Sequence, residues 1–127
     1  MKKLLFTFSI LALISCKKEE KKESLYPEKQ LSAEEKQLQL GEEIFNGKGM
    51  CYSCHKPDQK VIGPSIKQIA EIYKAKNADI KLFLKEKSEP IVDPSQYSVM
   101  KTNFSITKTF SDEELKAVEA YFFSHLK

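Results

Sequence analysis

Cys51-Tyr52-Ser53-Cys54-His55 is the stretch on which the whole reading of this chain turns. A Cys-X-X-Cys-His run reads as an attachment site for c-type haem. Two thiols at that spacing add across the two vinyl groups of a porphyrin and hold it covalently. The adjoining imidazole then meets the iron from one face, and the ligand on the other face sets the use. Zinc binding is one alternative, but it wants four ligands, and beyond the run the chain adds only Cys16 and His125 as further Cys or His. A thioredoxin-like redox pair is another, but it belongs to a βαβ context that is absent here. The third is a haem-free binding module with a Cys51–Cys54 disulfide. Without a bulky group at the centre, the apolar faces of four short helices would have little to close upon.

With 127 residues the chain has room for one domain and tails. Every basic residue is Lys, and the formal charge is +3. Lys2 and Lys3 fall in a segment expected to be removed, which leaves one more base than acid. No basic stripe is interleaved with aromatic residues and Arg is absent, so no nucleic-acid partner is expected. The cysteines are too few and too unevenly placed for a disulfide framework.

Met1-Lys2-Lys3 is a positive start, and Leu4 to Ile14 is an apolar run of eleven residues, short for a membrane span, which needs about 20. It ends Leu13-Ile14-Ser15-Cys16. This resembles a bacterial lipobox, which implies cleavage before Cys16 and acylation of that residue. Residues 1–15 are therefore read as a lipoprotein signal peptide, with an ordinary secretory signal as the alternative. Residues 16–30 are read as a charged, lipid-anchored tether. Its Lys/Glu-rich composition cannot bury enough surface to order itself, and its span is roughly 20 Å. A solubilising tail is an equally good reading. Lys17 in place of Asp gives no inner-membrane retention signal, so the expected location is the outer membrane or the periplasmic face.

Residues 31–127 are the expected domain, all-α, with about four helices. Ser32 and Glu35 form a capping box for a helix from Ala33 to about Asn46, with Leu38, Gly41, Ile44 and Phe45 on one face. Gly41 in mid-helix implies close approach of another helix. Gly47 and Gly49 are expected to let the backbone turn tightly into the Cys motif. A carbonyl near Pro64 is expected to accept from His55 Nδ1–H and fix the tautomer. Ser65 caps a helix from Ile66 to Lys76, and Asn77 or Asp79 opens another to about Lys87. Pro90 to Thr109 carries no sustained periodicity and reads as one long loop. Ser111 and Glu114 box the last helix, which runs to about Leu126. His125, in its last turn, reads as a surface residue.

Met100 lies in that long loop. A thioether can take the second axial position on haem iron. Met1 leaves with the signal, and Met50 abuts Cys51 on the side of His55, so Met100 is the expected ligand. A buried Met100, with His125 or water on the iron, stays open as the alternative.

Taken in order, these residues resemble the small class I cytochromes c of bacterial type, over about Leu31 to Lys127. The resemblance rests on the helix with Gly41 and Phe45, then Cys51-X-X-Cys54-His55, then Gly63-Pro64, then Met100, then a terminal helix with Val118 and Tyr121. It implies one covalent haem c bound by Cys51, Cys54, His55, Pro64 and Met100, with the iron held by His55 and Met100. It implies that the first and last helices cross at Gly41 against Val118 and Tyr121, and that Pro64 stacks beside the proximal His55. Lys101 follows Met100 where many relatives have Pro. The implied activity is one-electron transfer between respiratory redox proteins, not catalysis, with Lys48, Lys56, Lys60 and Lys101 steering docking. A haem-based sensor or catalytic haem protein with a labile Met100 is the alternative.

Overall fold

Helix α1 starts where the capping box is placed. Ser32 Oγ accepts the Glu35 N–H at 3.1 Å, and the Ser32 N–H donates to Glu35 Oε2 at 2.8 Å. The computed structural model describes residues 30–126. The proposed signal peptide, Cys16 and all of the tether except Gln30 lie outside those residues. Among the described residues the order is α1 (Ala33–Asn46), α2 (Ile66–Ala75), α3 (Ile80–Leu84), α4 (Tyr97–Lys101), α5 (Phe104–Thr107) and α6 (Asp112–Ser124), with 3-10 turns at Cys51–Ser53 and Pro94–Gln96. No helix among the described residues is long and apolar enough to cross a membrane.

The frame is the crossing of α1 and α6. A Cβ built on Gly41 would come 2.1 Å from Ala117 O and 2.7 Å from Tyr121 Cβ. Glycine is required there because the two backbones meet. The partners are Tyr121, as the resemblance implied, and Ala117, one residue before the expected Val118. Phe45 seals the crossing, with its ring 5.3 Å from Tyr121 and 5.9 Å from Phe122 between centroids, a range in which aromatic pairs attract. The second capping box is present at α6: the Glu114 N–H donates to Ser111 Oγ at 3.2 Å and the Ser111 N–H to Glu114 Oε2 at 2.9 Å. Ser65 Oγ caps α2 through the Gln68 N–H. Ile66, Ile69, Ala70 and Tyr73 turn inward from α2, and Leu115 and Val118 from α6.

Three sequence expectations need correction. Pro90 to Thr109 is not one loop; it holds a 3-10 turn and the short helices α4 and α5. These helices are too short to show a full apolar period, and distant contacts fix them. Thr107, wholly buried, donates its hydroxyl to Leu84 O at 2.6 Å. Lys85 Nζ donates to Phe110 O at 2.5 Å and Lys108 O at 3.0 Å. Helix α3 ends at Leu84, not near Lys87, because Glu86 turns into the left-handed region at φ 56°. Gly47 and Gly49 adopt no positive φ; the left-handed residue at that turn is Met50, at φ 52°. Both glycines make the tight turn and are needed for space as well, since a Cβ would meet Glu43 O or Ile44 O at 2.7 Å. Finally, His125 is half-buried, set edge-on to Tyr121 at 4.9 Å. Its Nε2 is buried without a hydrogen-bond partner among the described residues.

Candidate haem site

The Cys motif leaves α1 through a tight turn and forms its own 3-10 turn. The Cys54 and His55 N–H groups both donate to Cys51 O, at 3.1 and 3.0 Å. That turn brings the two cysteines and the imidazole to one side. Both thiols are free. Cys51 is buried, and desolvation pushes its thiol up to about 11, against a lowering backbone hydrogen bond. The Asn103 side-chain amide donates to Gly49 O at 3.1 Å and ties the start of α5 to this turn.

His55 is set by the Gly63-Pro64 segment. Its Nδ1 lies 2.7 Å from Pro64 O. A carbonyl only accepts, so Nδ1 carries the proton and Nε2 keeps a free lone pair. Burial lowers the imidazole's pKa, with the Pro64 bond opposing, and the ring is held neutral. Gly63 lies flat against that ring: a Cβ on it would come 2.5 Å from Cε1 and 2.8 Å from Nδ1. The Gly63 N–H donates to Cys54 O at 2.9 Å, which locks the segment to the motif.

These groups open on one cleft of about 330 Å³, inside the usual range of ligand sites. Cys51, Cys54, His55 and Pro64 line it, and so do Met50 and, on α4, Met100, with Tyr73 and Phe83 among the apolar remainder. His125 does not line it. Among the described residues no group of three or more His, Cys, Asp or Glu is gathered to hold a metal ion. The donor set present is two thiols, one neutral imidazole with a free Nε2, and two thioethers, Met50 next to Cys51 and Met100 on α4, in an apolar slot. That set fits a covalently attached, apolar macrocycle with an iron that takes one nitrogen and one sulfur.

Reasoning from sequence brought together Cys51, Cys54, His55, Pro64 and Met100, and all five line this cleft. It missed the packing role of Gly63, for which the only signal was its place before Pro64. It also missed Ile91, Val92, Tyr97 and Asn103, which line the cleft from the stretch read as loop. The lysines expected to steer docking are mostly paired. Lys48 bonds Glu114, Lys60 Nζ lies 2.8 Å from Asp93 Oδ2, and Lys101 Nζ lies 3.4 Å from Glu86 Oε1.

Residues 38–125 match the family described as Cytochrome c. The match takes in more than half of the chain, and the protein belongs to that family, as a class I cytochrome c with an all-α fold. Its cofactor is one covalently bound haem c, and its coarse function is that of a haem-based electron carrier working with redox proteins. No curated protein matches the chain.

Proposed function

We propose that this protein is a one-electron carrier held at a membrane surface. Cys51 and Cys54 would bond the haem, and His55 Nε2 and Met100 Sδ would hold its iron. When bound, the haem supplies an iron that cycles between two oxidation states. The chain's part is to fix both ligands, keep water from the iron and leave no open position for chemistry. The observation that carries this reading is the His55–Pro64 bond beside a cleft that Met100 also lines. A thioether ligand favours the reduced iron and raises the potential. Acylated Cys16 would anchor the exported chain in the bilayer, and residues 17–30 would give it reach. Confinement to a surface raises its effective concentration near an anchored reductase or oxidase, its respiratory donor and acceptor.

Two variants test the reading. In wild type, the oxidised protein shows a far-red sulfur-to-iron band, and the reduced protein does not bind carbon monoxide at neutral pH. Met100→Ala is expected to abolish the band, lower the potential and open the iron to carbon monoxide. Ready carbon monoxide binding by wild type would instead favour a sensor or catalytic haem protein. Cys16→Ala is expected to move the protein from the membrane fraction to the soluble one. Retention of that variant in the membrane would reject the anchor.

A further inference from the structure

Glu86 stands where a glycine is the ordinary choice. Its N–H donates to Phe83 O and the Lys87 N–H to Leu82 O, each at 2.8 Å. That pair of bonds ends a helix through a left-handed residue. Glu86 adopts that conformation at φ 56°, which crowds any residue that carries a Cβ. A strained position held by a charged residue invites the question of what the charge does. Its Oε1 lies 3.4 Å from Lys101 Nζ, and its Oε2 takes Lys108 Nζ. Lys101 is the last residue of α4, directly after Met100, and Lys108 caps the end of α5. One carboxylate, with its side chain only 23% exposed, thus spans both short helices and ties them to the end of α3.

We propose that Glu86 is a positioning residue for the Met100 thioether. The left-handed turn sets the carboxylate, the carboxylate holds the C-terminal end of α4, and Met100 is thereby kept in the cleft. This rests on the reading of Met100 as axial ligand. A second brace is aromatic. Tyr97 packs on Phe83 and Phe104 at 6.3 and 6.0 Å between centroids. It fixes the first residue of α4, and Lys101 Nζ also lies over its ring at 5.8 Å, so the aromatic brace and Glu86 meet at Lys101.

The test uses the haem-loaded protein with Glu86→Gln and Glu86→Gly. The first removes the charge alone; the second also removes the crowding at positive φ. Both are expected to weaken the far-red sulfur-to-iron band and to speed carbon monoxide binding by the reduced protein several-fold. Glu86→Gly is expected to do so while its thermal midpoint holds or rises, because the strain is relieved. Added salt should move the wild-type protein the same way. Wild-type bands and carbon monoxide behaviour in both variants would overturn the proposal. So would a Glu86→Gly variant whose band and thermal midpoint fall together, since the residue would then be holding the fold. Met100→Ala separates the two ideas. If it keeps the band, the axial reading fails and takes Glu86 with it. If it loses the band while the Glu86 variants keep theirs, only the Glu86 inference fails.

Discussion

Gly63 shows how much of the site depends on a side chain that is absent. The His55 ring occupies the space a Cβ would need, with Cε1 at 2.5 Å and Nε2 at 3.1 Å from the built position. Neither neighbour can yield freely. The ring is bonded to Pro64 O, and the Gly63 N–H is bonded to Cys54 O. Gly63→Ala must therefore rotate the imidazole or lift the segment that carries Pro64. Overpacking of this kind costs about 1–3 kcal/mol, and loss of the Nδ1 bond releases the tautomer and makes Nε2 a weaker donor. The expected outcome is lower stability in denaturant together with a shifted reduction potential. A variant with unchanged unfolding midpoint and potential would show that the ring is free to move. A bulkier substitution would not be as clean a test, since it would also fill the cleft.

Helices whose ends are fixed by neighbouring residues could be read from the chain, and helices fixed from a distance could not. Ser32 with Glu35 and Ser111 with Glu114 carry their cap chemistry within three residues, so α1 and α6 start where their caps lie. The partners that make α4 and α5 are remote: Tyr97 packs on Phe83, Thr107 reaches Leu84 O, and Lys85 reaches Phe110 O. The paired lysines escaped notice for the same reason, as did the burial of His125. Cys51, Cys54 and His55, which line the cleft, stood out in the chain because haem chemistry dictates residue type and spacing there. The cap of α3 gives a prediction of its own. Asp79 Oδ1 accepts the Lys81 N–H at 2.7 Å and the Leu82 N–H at 3.2 Å, and Lys81 Nζ lies 3.2 Å away. Partial burial pushes the Asp79 carboxyl up, but these bonds and the Lys81 ammonium outweigh it and hold its pKa below the ordinary 3.8. A depressed carboxyl adds stability above its unfolded pKa and loses it as pH falls through the folded one. Asp79→Asn keeps a capping oxygen but cannot titrate. Its stability should therefore fall less steeply than that of wild type as pH drops below about 4. Acid titrations of unfolding that run parallel for the two proteins would reject the assignment.

Charge decides how a partner is found. The chain has 21 basic and 18 acidic residues. If the first segment is removed, Lys2 and Lys3 go with it, and two haem propionates would offset the remainder. Net charge then supplies no long-range pull. Local charge does little more. Lys48 is bound to Glu114, Lys60 to Asp93, and Lys101 shares Glu86 with Lys108. Of the four lysines flanking the site, only Lys56 has no ion pair among the described residues; it lies over the Tyr52 ring at 5.9 Å. The Lys48–Glu114 and Lys60–Asp93 pairs look like dipoles to an approaching partner, the Glu86 cluster and Lys56 each leave a single positive charge, and dipoles fade faster with distance than a ring of free ammonium groups. Exposed Tyr52 and Val61 add apolar surface beside the motif, where contact is short-ranged and indifferent to salt. The expected result is a weak dependence on ionic strength. Oxidation and reduction by small anionic and cationic metal complexes should change less than about twofold between about 10 and 200 mM salt, a range over which the screening length shrinks several-fold. A free lysine ring would instead slow the anionic complex by about tenfold or more. A steep fall with the anionic complex, matched by a rise with the cationic one, would mean that the ion pairs open in solution and that the lysines steer after all.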